Sequence, residues 1–160
     1  MNIMVVSDTH GSLANLMIAL EKEKEIEIDM LLHLGDLCLE EEVLKNLVNC
    51  QVHVVAGNCD RYIDTKEKII EIDGKKAFMT HGHKYYIDAD RLDLAAETEK
   101  RGAYIGFYGH THIPMIEYIG KCVIVNPGSI SRPRQTGFRP SYIMMDTNNG
   151  GEPIFEIKYL

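Results

Sequence analysis

The first sixty residues alternate between two hydrophobic periods, and that alternation restricts the fold more than any other feature of the chain. Three apolar runs of strand length, Asn2 to Ser7, Met30 to Leu34 and Val52 to Ala56, are separated by two stretches of helical period. In the first stretch Leu13, Leu16, Met17 and Leu20 recur at i, i+3, i+4 and i+7, opposite Glu21, Lys22 and Lys24, with Ser12 placed to cap the helix. Val43, Leu44, Leu47 and Val48 mark the second. Each apolar run ends in a polar turn: Asp8-Thr9-His10-Gly11, Gly35-Asp36 and Gly57-Asn58-Cys59-Asp60. Successive βα units of this kind imply an α/β layered architecture.

After residue 60 the period changes. Residues 68–73 and 75–79 read as a hairpin turning at Asp73-Gly74 and ending in Thr80-His81-Gly82-His83. A helix is predicted over about 88–101, with Leu92, Ala95 and Ala96 inward and Gly102 as its cap. A strand over 104–108 then delivers Gly109-His110-Thr111-His112. Further strands are predicted at 115–119, 121–125, 141–146 and 154–159. Residues 128–140 carry Arg132, Arg134 and Arg139 without an acid and read as a surface loop. No repeat or linker divides the chain, so one domain over residues 1–160 is expected, with a mixed sheet or two sheets face to face.

A chain of 160 residues, 45% hydrophobic, needs no metal or disulfide staple on grounds of size, so any metal it binds serves function. A net charge of −7 argues against non-specific nucleic-acid binding, which depends on Lys and Arg neutralising phosphates. Cys38, Cys50, Cys59 and Cys122 form no C-x-x-C pair and read as reduced thiols of a cytoplasmic protein. No secretory signal and no membrane-length apolar stretch is recognisable.

Five apolar runs end in a group able to bind a metal: Asp8 with His10, Asp36, Asn58, His81, and His110 with His112. Ligands in open α/β sheets gather outside the carboxyl ends of the strands, so these five ends are expected to converge there. A tetrahedral zinc needs four ligands, and seven candidates suggest two ions that share Asp36. Imidazole and carboxylate donors without an obligatory thiolate favour Mn, Ni, Fe, Zn or Co over Mg or Ca, with Mn or Ni preferred. His110 and His112 stand at i, i+2, where an extended backbone would point them the same way and a turn could aim them apart.

Taken with Asn126-Pro127-Gly128-Ser129, these blocks resemble the calcineurin-like metallophosphoesterase superfamily, in family order from residue 8 to residue 129. The nearest pattern is the family's small single-domain phosphodiesterase branch, related in fold to the retromer subunit Vps29. The resemblance implies a four-layer αββα sandwich of two mixed sheets flanked by helices, with the metal site at the carboxyl edge. It also implies one ion on Asp8, His10, Asp36 and His112, and another on Asp36, Asn58, His81 and His110. The activity implied is hydrolysis of small phosphodiesters or phosphomonoesters by a metal-bridging hydroxide, with Asp36, Asn58, His110 and His112 at the reaction centre. The alternatives are a Vps29-like protein-interaction scaffold and a nuclease. The partners expected are a small phosphoester and, in a homodimer, a second copy of the chain.

The remaining candidates surround this centre. Asn58, Arg132 and Arg134 are the expected phosphate contacts. Cys59 stands where many larger relatives have a histidine proposed to protonate the leaving group, and a thiol is the poorer acid. His83 is a substitute acid or a supporting residue, and Asp60 orients Asn58 or caps the next segment. His33 and His53 lie within apolar runs and read as hydrogen-bonded core or strand residues, and Glu21 to Glu27 as an exposed helix end.

Overall fold

In the computed structural model, which describes residues 1–148, 150 and 152–160, ten strands and three helices build two five-stranded sheets packed face to face. One sheet holds β1 (Asn2–Val6), β2 (Met30–His33) and β3 (Gln51–Val54) in parallel, followed outward from β1 by antiparallel β9 (Ser141–Asp146) and β10 (Ile154–Tyr159). The other has the order β4 (Glu67–Ile72), β5 (Lys75–Thr80), β6 (Ile105–Phe107), β8 (Cys122–Pro127) and β7 (Pro114–Ile119). Here β5, β6 and β8 run parallel between two antiparallel edges. Both sheets are mixed.

Three apolar clusters make the four layers. Ile3, Val5 and Leu32 face Met79, Phe107 and Val125 between the sheets. Because side chains alternate across a strand, Met4, Val6 and Leu31 point the other way, onto Leu16, Ala19 and Leu44 of α1 (Ala14–Lys22) and α2 (Glu41–Leu47). Phe78 and Ile124 likewise take Leu94 and Ala95 of α3 (Leu92–Lys100) on the outer face of the second sheet. The helices close both outer faces. Among the described residues none is long and apolar enough to cross a membrane.

Local chemistry explains several boundaries. Asp73 and Gly74 both adopt positive φ, the two-residue turn that matches strand twist, and they join β4 to β5 as expected. Gly102, at φ +70°, ends α3: its N–H bonds Glu99 O at 2.9 Å and the Ala103 N–H bonds Thr98 O at 3.0 Å, which satisfies two terminal carbonyls.

The helix faces differ from the expected ones. Ser12 does not cap α1, whose preceding residue is Leu13 and whose buried residues are Leu16 and Ala19, while Met17 and Val43 are exposed. In α3 the inward face is Leu94, Ala95 and Thr98, with Leu92 and Ala96 outside. Glu23, expected among exposed charges, is buried: it accepts from the Tyr142 hydroxyl at 2.6 Å and from Lys158 Nζ at 3.0 Å through each oxygen.

Candidate metal centre

The carboxyl ends of β1, β2, β3, β5 and β6 meet at one rim, and hydrogen bonds carry the strand pairing beyond the strands themselves. Asp8 N donates to Gly35 O, His10 N to Asp36 O and Gly11 N to Leu37 O, so the turns after β1 and β2 run side by side. Across the seam between the sheets, Ile130 N donates to Ser7 O and the Ser129 hydroxyl to Asp8 O. The loop after β8 is thereby pinned to the end of β1.

Asp8, His10, Asp36, His110 and His112 all sit in the left-handed region, with φ between +47° and +66°. Asp and His enter that region more readily than most residues, yet each such position is strained and persists only where its surroundings dictate it. The His110 N–H donates to Asp8 Oδ2 at 3.2 Å, and Asn126 Nδ2 grips Gly109 O at 2.8 Å and Thr111 Oγ1 at 3.0 Å. The two histidines therefore lie in a braced turn. Their rings pair differently: His110 lies 5.1 Å from His81 and His112 lies 5.2 Å from His10, between centroids.

Glycines permit the close approach. A Cβ on Gly57 would collide with the Asp36 carboxylate, and one on Gly109 with the Ser7 hydroxyl. Asp60 accepts from Cys38 N at 2.6 Å and Gly57 N at 2.7 Å, and so ties the turns after β2 and β3 together instead of contacting the Asn58 side chain.

Three sets of ligand atoms lie within 4.8 Å of one another: Asp8, His10 and His112; Asp8, Asp36 and His81; and His10, Asp36 and Cys59. Asn58 and His110 join His10, Asp36, Cys59, His112, Arg132 and Arg134 in lining a cleft of about 340 Å³. Exposed His83 lies 5.6 Å from His81 and 6.1 Å from His110 between ring centroids. All the candidate site residues thus gather around one cleft.

The tautomers indicate what the cleft accepts. Leu34 O lies 2.7 Å from His81 Nδ1, and Arg132 O lies 2.6 Å from His112 Nδ1. A carbonyl only accepts, so both Nδ1 atoms carry hydrogen and a neutral ring turns a bare Nε2 into the cleft. His81 Nε2 and Asp8 Oδ1 are buried without a hydrogen-bond partner and stand 4.0 Å apart. His112 Nε2 lies 3.1 Å from Asp8 Oδ1 and 3.4 Å from His10 Nε2. With His112 neutral, the first contact sets acceptor against acceptor; it is an ion pair only if the ring is protonated. In either form the Nδ1 hydrogen is committed to Arg132 O, and Nε2 faces the same space as His81 Nε2, His10 Nε2 and Asp8 Oδ1. Burying such atoms unpaired is costly, and a cation among them removes the cost. The residues fit a metal.

Electrostatics agree. Burial lowers the His10 pKa, against the pull of Asp36, and lowers that of His110 with help from His81, favouring the neutral form that binds metals. Burial would raise the Asp8 carboxyl, but positive charge on the His112 and His81 rings holds it below its ordinary value, a place that a bound cation would take with those rings neutral. Hydrogen bonding to Asp36, then burial, pushes the exposed Cys59 thiol up to about 11.

Some contributors carry no sequence signal of their own. Asp88 Oδ2 stands 3.9 Å from His110 Nε2, brought there by a turn between β5 and α3. Thr9 Oγ1, 3.2 Å from buried His33 Nε2, donates to Leu37 O and braces the residue between Asp8 and His10.

The sequence profile of the calcineurin-like phosphoesterase superfamily domain matches residues 1–150. The probable metallophosphoesterase YsnB of Bacillus subtilis is 35% identical over 84% of this chain and 78% of its own length. Phosphodiesterase YfcE of Escherichia coli is 30% identical over 92% of this chain and 89% of its own. The structure of Vps29 complexed with zinc from Entamoeba histolytica superposes with a TM-score of 0.78 at 26% identity over 99% of each chain. With that profile spanning nearly its whole length and a metal-ready cleft at the strand ends, the chain belongs to the calcineurin-like phosphoesterase superfamily and is a metallophosphoesterase.

Proposed function

We propose that the protein hydrolyses small phosphodiesters, and phosphomonoesters, at a binuclear centre, with Asp8, His10, Asp36 and His112 holding one ion and Asp36, Asn58, His81 and His110 the other. The observation that carries this reading is the orientation of Asp36. Its Oδ1 faces His81 Nε2 at 3.6 Å and its Oδ2 faces His10 Nε2 at 3.8 Å, as a carboxylate shared between two ions requires. When bound, two divalent transition-metal ions, manganese or nickel by preference, supply Lewis acidity and a water-derived nucleophile at neutral pH.

The chain's own residues position and hold. Arg132 and Arg134 line the cleft, form no ion pair among the described residues, and are available to grip phosphoryl oxygens bidentately. Asn58 contributes an oxygen and keeps amide hydrogens for phosphate. Cys59 is too weak an acid to assist the leaving group, and His83, exposed beside the rings of His81 and His110, is the substitute acid. The whole chain works as one unit in the cytoplasm, a setting consistent with four free cysteines.

The test is turnover of bis-p-nitrophenyl phosphate by protein loaded in turn with Mn, Ni, Co, Zn and Fe. Activity is expected, abolished by chelation and by Asp36→Ala or His110→Ala. The likeness to Vps29 favours one other reading, a binding scaffold that uses the same cleft. It predicts no turnover with any of the five metals, and an unbroken ligand set argues against it.

A further inference from the structure

A second cavity, of about 290 Å³, adjoins the metal cleft, with Ile87, Asp88, Tyr108, Ile113, Met115 and Arg134 in its lining. Arg134 lines both spaces. The chemistry changes sharply across it. On one side stand imidazoles and carboxylates; on the other two isoleucines, a buried tyrosine ring and a thioether form an apolar wall, with Asp88, Arg91 and Thr111 beside it. Tyr108 turns its hydroxyl toward Met115 Sδ at 4.0 Å, a weak acceptor. Arg91, also in the lining, is held by Glu117 at 2.9 Å, whereas the Arg134 guanidinium has no ion pair among the described residues.

Resting on the phosphoesterase reading, we infer that this cavity binds the apolar, uncharged ester arm of the substrate, an aryl-type ring, while the phosphoryl group lies in the metal cleft and Arg134 spans the two. Three features carry the inference. A flat guanidinium neutralises a phosphoryl oxygen with its edge and stacks on a ring with its face, and a thioether packs well against aromatic edges. A benzene ring fits a cavity of about 150 Å³, well below the volume here. Of the charged groups in the lining, Arg91 is committed to Glu117 and Asp88 is itself an anion, so with Arg134 on the phosphoryl group a second negative charge on the arm has no free partner. The substrate class is therefore a phosphoester with one neutral aromatic alcohol, and not one carrying a second phosphate there.

The experiment is calorimetric binding of phenylphosphonate and methylphosphonate to metal-loaded protein, wild type and the separate variants Ile113→Ser and Met115→Ser. Both positions are partly exposed. Wild type is expected to prefer the phenyl compound by about tenfold or more, the worth of an apolar group in a matching pocket. Each variant should cut that ratio at least about threefold, the two positions sharing the ring contact. Methylphosphonate bound with no gain from the phenyl group, or a ratio unchanged in both variants, overturns the pocket alone. Failure of both phosphonates to bind overturns the phosphate reading of the cleft and the pocket with it.

Discussion

The buried His33 makes the fold acid-sensitive by a calculable amount. The residue has no exposure to solvent; its Nδ1 accepts from Gly35 N–H at 3.3 Å and its Nε2 hydrogen reaches Thr9 Oγ1 at 3.2 Å. Both bonds suit the neutral ring. Burial, opposed by the fields of Asp8 and Asp60, lowers its pKa from 6.5 to about 4. The unfolded chain therefore takes up the proton first as pH falls. The stabilisation is complete above about pH 6.5 and is lost at up to about 1.4 kcal/mol per pH unit down to about pH 4. Between pH 7.5 and 4.5 this residue accounts for about 2.5 kcal/mol. Urea unfolding of chelator-treated protein across that range isolates the effect from metal release. His33→Gln keeps a donor for Thr9 and removes the titration. Wild type should lose about 2.5 kcal/mol more than the variant over the interval, and parallel stability curves would refute the argument.

Gly57→Ala should fold less stably by at least about 1–3 kcal/mol and bind metal more weakly, because the new Cβ meets the Asp36 carboxylate; denaturant melts and metal titration read both effects. His110→Ala and His112→Ala should each weaken a different one of two metal-binding steps, whereas identical titration curves would remove the fork. Rates on aryl phosphodiesters should fall steeply as leaving-group pKa rises, and a flat dependence with chemistry rate-limiting would show that Cys59 or a neighbour supplies the proton efficiently. Glu23→Ala should cost roughly 3 kcal/mol by leaving Tyr142 and Lys158 without their shared acceptor, measurable as a shift in unfolding midpoint.

The strands were legible because their signals are short and local. Asp73-Gly74 fixes a hairpin by its own backbone preference, and the runs at 141–146 and 154–159 match β9 and β10. Helix faces were harder to read, since an exposed Met17 or Leu92 looks the same in sequence as a buried one. What decides the matter is the angle at which a helix lies on its sheet, and that angle is tertiary. Glu23 illustrates the same limit: its partners, Tyr142 and Lys158, lie more than a hundred residues away. The candidate ligands stood out because each closes an apolar run. Asp88 closes none, and the left-handed backbone of Asp8, Asp36 and the paired histidines appears only once the turns have formed.

The candidate ligands come from opposite sides of the seam, Asp8, His10 and Asp36 from one sheet and His81, His110 and His112 from the other. A cation held by both sets acts as a rivet between two layers that otherwise meet through apolar contact and a few hydrogen bonds at this rim. Its affinity then becomes mechanical coupling, since anything bound only by the folded state adds to stability by mass action. In hydrogen exchange, the backbone amides at the carboxyl ends of β2 and β5 should open together in loaded protein and separately once the ions are stripped.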